Sequence, residues 1–499
     1  MLEQILVSLQ HFQPELSLAA AFLIAILLAP MVRGRGPLVG VVALAALAFT
    51  GYILLQQPGG TNTSIFSNMF AVDPFSFFFK VVILLSALIV VAFSMMSREL
   101  KEGAQSLGEF YALLLALTLG MFLMTGASNL LMMYLAMELT SITSYILAGY
   151  TKEAHDSSEA SLKYVIYGAV TSGMMLYGIS ILYGLTGATD IYGVNRALMA
   201  GDVNLLALTI SGILIIVGFG YKITAVPFHF WSPDVYEGAP ITITAILAVA
   251  SKAAGFAMLT RFFNVAFVDT TSEHVAKGYW AVLSGFEWNQ IIAAISILTM
   301  TLGNLVAVWQ NNLKRLLAYS SIAHAGYILM GLVVLSSEGI AAVLIYFAVY
   351  LLMNLGAFYV VMLVANKTGS EDIEAYRGLG YRTPLVAVVM AVFLLALTGL
   401  PPTAGFVGKL YLFAALINGK WYWLALIGVV NSVISLYYYV RIFRHMFLMD
   451  PHEAAEPLRF GPLQVLLLMV LLIPTLVLGL YFGPLVEVAQ ASVTMFGVR

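Results

Sequence analysis

The sequence predicts an all-α integral membrane protein of about 14 transmembrane helices, and three observations carry that prediction. Of 499 residues, 61% are hydrophobic and only 10% charged, with a mean hydropathy of +0.95. A soluble domain carries about 25% charged residues, so most of this chain has to face lipid or other helices. Apolar runs close to the roughly 20 residues needed to cross a hydrocarbon core about 30 Å thick recur along the whole chain. Basic residues fall mainly in alternate loops, as the positive-inside bias demands.

The spans read as 15–31, 38–56, 74–96, 109–126, 128–150, 161–186, 203–227, 240–263, 289–309, 314–335, 338–365, 384–416, 421–447 and 462–484, separated by short polar or Gly/Pro punctuation. The first is a retained span, because Met1 to Gln13 lacks the basic start of a cleavable signal peptide. The longest loops, near 264–288 and 366–383, are of ordinary length, and no linker separates domains. With the N-terminus outside, the inner loops hold Arg33, Arg35, Arg98, Lys101, Lys152, Lys163, Lys314, Arg315, Lys367, Arg377, Arg382, Arg441, Arg444 and Arg459. The outer side holds Arg196, Arg261, Lys277, Lys420 and Arg499. This bias supports an even number of helices and both termini outside. Lys80, Lys222, Lys252 and Lys409 are left within the spans, Lys80 close to an interface.

A weak internal repeat runs through the chain. Gly218 to Lys222 (GFGYK) resembles Gly405 to Lys409 (GFVGK), and Tyr145 to Gly149 resembles Tyr327 to Gly331. The paired segments lie five spans apart, and an odd offset puts two halves in inverted topology. The expected organisation is three leading helices (1–108), a first five-helix repeat (109–265), a second (289–447) and a closing helix (448–499).

Composition also excludes chemistries. The formal net charge of −2 argues against a nucleic-acid partner. With no cysteine there is no disulfide, thiol catalyst or cysteine-ligated iron–sulfur cluster in this chain. The seven histidines are too sparse for a multi-haem cytochrome or a metal site. Phe406 to Leu410 lacks the earlier glycine and following Ser/Thr of a phosphate-binding loop.

Chemistry therefore rests on charges placed in oil. Each charge at the bilayer centre costs about 2.5–3.5 kcal/mol on insertion scales, so such groups face one another or a hydrated path. Glu138 sits among Leu, Met and Thr, where burial raises a carboxyl pKa and a nearby ammonium lowers it. It reads as a switch, the alternative being a static ion pair. Lys222 precedes Pro227 and Lys409 follows Pro401-Pro402, so each helix is kinked or interrupted beside its lysine. Broken backbone is tolerated where water or buried groups satisfy it; the alternative is a lysine reaching an interface. Lys252 is mid-span, too far from either end for that. His324 reads as a proton relay or a core residue, and Lys163 and His229 as an inlet or solvated helix ends.

Residues 221–247, YKITAVPFHFWSPDVYEGAPITITAIL, resemble the signature of the antiporter-like subunits of respiratory complex I (NADH-quinone oxidoreductase). SPDVYEGAP is most similar to the N-subunit branch, called subunit 2 in mitochondria and B in plastids and cyanobacteria. MYLAMELTSITSYILAGY, VASKAAGF, NLKRLLAYSSIAHAGYILMG and GLPPTAGFVGKLYLF match the same family in its order along the chain, so the resemblance covers nearly the whole sequence.

The resemblance implies two inverted five-helix bundles with broken helices 7 and 12, and a proton relay over Glu138, Lys222, Lys252 and Lys409. It gives supporting places to Lys163, His229, Lys314, Tyr319 and His324. A lysine at 409 favours the N over the M subunit, and the chain lacks the long lateral helix of the L subunit. Partners implied are K-like and M-like membrane subunits in a bacterial inner membrane, with NADH, FMN, iron–sulfur clusters and quinone in other subunits and no cofactor here. In this reading a Glu138–Lys222 pair tightens and loosens, and a proton passes to Lys252 and on towards Lys409. The rivals are a subunit of an Mrp-type cation/proton antiporter and an inert scaffold of salt bridges.

Overall fold

The computed structural model describes residues 2–31, 36–57, 60–103, 106–201, 203–269, 278–283, 285–451 and 456–497; Arg33, Arg35, Lys277 and Arg499 of the orientation count lie outside them. Among these residues thirteen helices are long and apolar enough to cross a membrane. They are α1 (Gln13–Met31), α2 (Gly36–Gln56), α3 (Pro74–Ser94), α4 (Leu107–Gly126), α5 (Leu130–Ala148), α6 (His155–Thr186) and α7 (Leu205–Ile223). The short α8 (Trp231–Gly238) follows α7 and leads into α9 (Ile241–Ala266). Then come α10 (Trp288–Ala307), α11 (Leu313–Val333) and α12 (Ser337–Thr368). Two half-length helices, α13 (Pro384–Thr398) and α14 (Ala404–Asn418), make up a fourteenth crossing, and α15 (Tyr422–Leu448) and α16 (Pro462–Leu480) complete the set.

Both expected interruptions are present. Helix α7 stops at Thr224, which takes a left-handed φ of 61°, and α13 stops at Gly399, φ 87°. The span read as continuous over 384–416 is therefore two helices meeting at Gly399 to Thr403. A third irregularity was not legible: α9 carries a π-turn at Leu247–Ser251, ending immediately before Lys252. Such a bulge widens the helix by one residue and turns the side chains beyond it to a new direction.

The repeat is visible in matching parts. Helices α6 and α12 are each 32 residues long and end at left-handed glycines, Gly187 (φ 66°) and Gly369 (φ 69°). Asn129 caps α5 and bridges to Asp190; Asn312 caps α11 and bridges to Asp372. The Leu130 N–H donates to the Thr189 carbonyl at 2.7 Å, and the Leu313 N–H to the Glu371 carbonyl at 2.9 Å. Counting crossings, α5 and α11 start at opposite ends of the molecule, so the halves are inverted. Helix α9 lies between them, buried along its whole length.

Two placements differ from the sequence reading. Arg261, counted as an outer-loop residue, is fully buried near the end of α9 and pairs with Asp73 through contacts of 2.6 and 2.8 Å. Asp73 is also the N-cap of α3 and accepts the Phe496 N–H at 2.9 Å. Lys80, expected near an interface, is buried and paired with Glu15 of α1 at 2.6 Å. Removing one member of such a pair leaves an uncompensated charge, which costs about 3–5 kcal/mol. The Lys80–Glu15 pair ties α3 to α1, and the Arg261–Asp73 pair ties the start of α3 to α9.

Candidate functional site

The break after α7 sets the position of Lys222. Its side chain is 2% exposed, and its Nζ donates to the Ser141 hydroxyl of α5 at 3.3 Å. Glu138, one turn earlier on α5, is half-buried and accepts a short hydrogen bond from the Ser172 hydroxyl of α6. Glu138 and Lys222 make no ion pair within 4 Å; the carboxylate acts on the ammonium through space. Gly255 of α9 packs on the lysine stem: a Cβ there would sit 3.2 Å from Lys222 Cγ. That close approach is what brings α9, with Lys252 one turn away, against the first broken helix.

Lys252 is also 2% exposed. Its Nζ donates to the Ser321 carbonyl at 2.8 Å and the Ser321 hydroxyl at 2.5 Å, both on α11. The Tyr350 phenol donates to the same hydroxyl at 2.9 Å and accepts from Asn354 at 2.9 Å. His324, one turn beyond Ser321, has Nδ1 at 2.7 Å from the Tyr346 phenol and Nε2 at 3.5 Å from that of Tyr439. Its ring centre lies 5.1 Å from that of Tyr350, which shares the Ser321 hydroxyl with Lys252, and 6.0 Å from that of Tyr327, against which Lys409 sits.

Lys409 is 5% exposed and exploits the second break. Its Nζ donates to the carbonyl of Thr398, the last residue of α13, at 2.7 Å, and to the Ser432 hydroxyl at 3.0 Å. The ammonium lies 4.5 Å from the centre of the Tyr327 ring. Gly399 leaves room for the stem, since a Cβ there would fall 2.6 Å from Lys409 Cδ. From Ser432 the contacts run through Tyr327 to Asn304, Asn431 and Tyr438.

At the basic end of the molecule, Lys163 bridges Glu159 at 2.8 Å and Asp234 at 2.6 Å. Arg315 answers from the other half, at 2.6 Å from Asp234 and 2.7 Å from Glu237. Lys314 is buried, holding Glu371 at 2.9 Å and the Ala239 carbonyl at 3.1 Å. Close by, Glu99 accepts the first N–H of α9, from Ile241, at 3.1 Å. His229 lies in the break between α7 and α8 with Nδ1 buried and unbonded. The structure thus links Lys252, His324 and Lys409 through shared hydroxyl and ring contacts, sets Lys222 beside them across Gly255, and gathers Lys163 and Lys314 into a mouth. The Tyr319 phenol stays half-buried on α11 and makes no hydrogen bond among the described residues.

Sequence reading missed Ser321, Tyr346, Tyr350, Asn354 and Tyr439, which carry these contacts across the second half. A signal existed: Tyr346, Tyr350 and Asn354 fall at i, i+4 and i+8, one polar stripe on the otherwise apolar α12.

Three comparisons bear on this geometry. Residues 127–435 match the family described as "NADH:quinone oxidoreductase/Mrp antiporter, TM". The chain is similar to NADH-quinone oxidoreductase subunit N 2 of Chloroherpeton thalassium, 47% identical over 492 residues, 97% of this chain and 94% of that one. It superposes on a chain of respiratory complex I from Thermus thermophilus with a TM-score of 0.79 and 31% identity, covering 96% of this chain and 99% of that one. The Mrp complex from Dietzia gives a TM-score of 0.82 at 22% identity over 97% of each chain, a likeness that shows the fold alone.

Proposed function

Since the chain belongs to the antiporter-like membrane subunits of NADH-quinone oxidoreductase, in the subunit N branch, we propose that Glu138, Lys222, Lys252 and Lys409 carry its proton translocation. As part of respiratory complex I it is a non-redox subunit, and quinone reduction elsewhere drives it. One observation carries the site assignment. Lys222, Lys252 and Lys409 are buried, and their ammonium groups bond to neutral hydroxyls and carbonyls rather than to carboxylates. A lysine fixed in a static ion pair keeps its proton; one held by neutral acceptors can give it up.

Beyond 4 Å, at an effective dielectric of about 20, two unit charges attract by less than about 4 kcal/mol. That is comparable with the roughly 2.3 kcal/mol per 100 mV needed to move a charge across the membrane. The Glu138–Lys222 interaction thus lies in a range that a neighbour's charge can modulate. The proton goes from Lys222 to Lys252, then by way of His324 to Lys409, with Lys163 and Lys314 at the mouth.

The mouth faces the inner side and both termini the outer side of a bacterial plasma membrane. K-like and M-like subunits flank the chain, and NADH, FMN, iron–sulfur clusters and quinone bind in other subunits. The segments 109–265 and 289–447 are the two functional repeats. Assembled complex carrying Lys222→Ala or Lys252→Ala should lose at least about tenfold of its proton-pumping rate while the soluble dehydrogenase module still oxidises NADH. Undiminished pumping in both variants rejects the assignment.

A further inference from the structure

The short helix α8 separates two environments. Asp234, Glu237 and Gly238 on one face line an open cavity of about 300 Å³, together with Lys163 and Arg315. Ser232 and Tyr236, one turn apart on the opposite face, are fully buried, and neither hydroxyl has a hydrogen-bond partner. Thr242 Oγ1, just past the α8–α9 junction, is likewise orphaned. Buried polar groups are almost always bonded, and a run of orphans in a polar channel is where ordered water binds.

Helix α8 packs on α11, which brings the Tyr236 phenol near the Ser321 hydroxyl that holds Lys252, without a hydrogen bond between them. A serine hydroxyl has one donor and two acceptor positions. Lys252 Nζ and the Tyr350 phenol donate to it at 2.5 and 2.9 Å, filling both acceptor positions. The Ser321 proton then has the orphaned Tyr236 oxygen to point at. If Lys252 is neutral, the same partners are satisfied in reverse: Tyr236 and Tyr350 donate to Ser321, and Ser321 donates to the amine. Closing the short gap between Tyr236 and Ser321 would therefore leave Ser321 fully bonded in both protonation states of the lysine, provided Tyr236 keeps its hydroxyl.

We propose that Tyr236 is a further proton-relay residue of the translocation reaction, forming with Ser321 a two-hydroxyl wire that loads Lys252 from the α8 mouth without passing through Lys222. In the loading step a hydronium beside Ser232 and Tyr236 gives its proton to the Tyr236 oxygen. Tyr236 passes its own proton to Ser321, and Ser321 passes its proton to the neutral amine. Each oxygen breaks one O–H bond and makes one, an N–H bond forms at Lys252, and hydronium becomes water. No electron moves.

The inference rests on Lys252 being a proton carrier, and the test separates the two claims. Tyr236→Phe keeps the ring that packs edge-on against Trp231, centroids 6.1 Å apart, and removes only the hydroxyl. In membrane vesicles bearing the assembled complex, it should slow pumping about tenfold at neutral pH. Acidifying the inner side should restore much of the rate, because delivery has become limiting; a packing defect would not respond to acid. Pumping at the wild-type rate, or a loss that acid does not relieve, overturns the wire. Lys252→Ala, measured in parallel, identifies which claim failed. If it pumps normally, the carrier role falls; if it does not pump and Tyr236→Phe does, only the wire falls.

Discussion

The two halves of the molecule present the same parts with different charges. Asn129 and Asn312 cap α5 and α11, and nine residues past each cap stand Glu138 and Ser321. The first half thus has a carboxylate where the second has a hydroxyl. Lys222 feels the Glu138 charge from beyond ion-pair distance, whereas Lys409 is held by a carbonyl, a hydroxyl and an aromatic face. Glu138 is also half-buried beside the exposed Leu131, Leu135 and Ile142 of α5, on a face that a neighbouring subunit or lipid must cover. The difference teaches that matching scaffolds can hold unlike polar groups at corresponding places. One half sets a carboxylate near its lysine, and the other surrounds its lysines with neutral acceptors.

The largest expected effect comes from erasing that inequality. Ser321→Glu places a carboxylate against Lys252, and at about 4 Å and an effective dielectric near 20 the attraction is about 4 kcal/mol. The lysine would be held protonated, and proton pumping by the assembled complex should drop by more than about tenfold, since each 1.4 kcal/mol is worth a factor of ten. Normal pumping would show that Ser321 is not the group that sets the Lys252 proton.

Glu138→Gln makes the first half resemble the second. The interaction removed is weaker than a contact pair, so a loss of roughly three- to tenfold is expected. Because Lys222 keeps its bond to Ser141, the variant should still assemble and still pump. Complete loss would mean that Glu138 itself carries the proton rather than biasing Lys222; no loss would mean that the halves are equivalent.

Much of this comparison was written in the sequence. Lysines at 222, 252 and 409 stand out because a charge in an apolar run is costly, and Pro227 and Pro401-Pro402 announce the breaks because proline cannot continue the hydrogen-bond ladder. The part played by neutral residues stayed hidden. Ser321 and Tyr439 look like any small or aromatic residue in a membrane helix until packing sets them against Lys252 and His324. The π-turn before Lys252 has no proline or glycine within it to signal it, since Leu247 to Ser251 are ordinary helix residues. Arg261 misled because its position near a helix end fits a loop equally well; only Asp73, 188 residues away in sequence, explains its burial.

The smallest effect tests the mouth, the place where the halves meet. Glu99 lies outside the membrane-spanning helices. Burial pushes its carboxyl above the ordinary value, and Glu371 adds to the rise, against the opposing Lys314 and the Ile241 N–H. A carboxyl whose folded pKa is raised favours the folded state while protonated. That contribution is full below the unfolded value of about 4.5 and disappears as pH rises through the higher folded value. Wild-type thermal stability should therefore decline across that window on the way to neutral pH. Glu99→Gln still offers an acceptor to Ile241 and carries no charge, so its stability should vary less over the same range and match or slightly exceed wild type at pH 7. Unfolding temperatures of the detergent-solubilised complex, measured in steps from pH 4.5 upward, decide it. A variant that declines in parallel with wild type shows that the Lys314 charge already compensates Glu99, and that the start of α9 does not register proton concentration at the mouth.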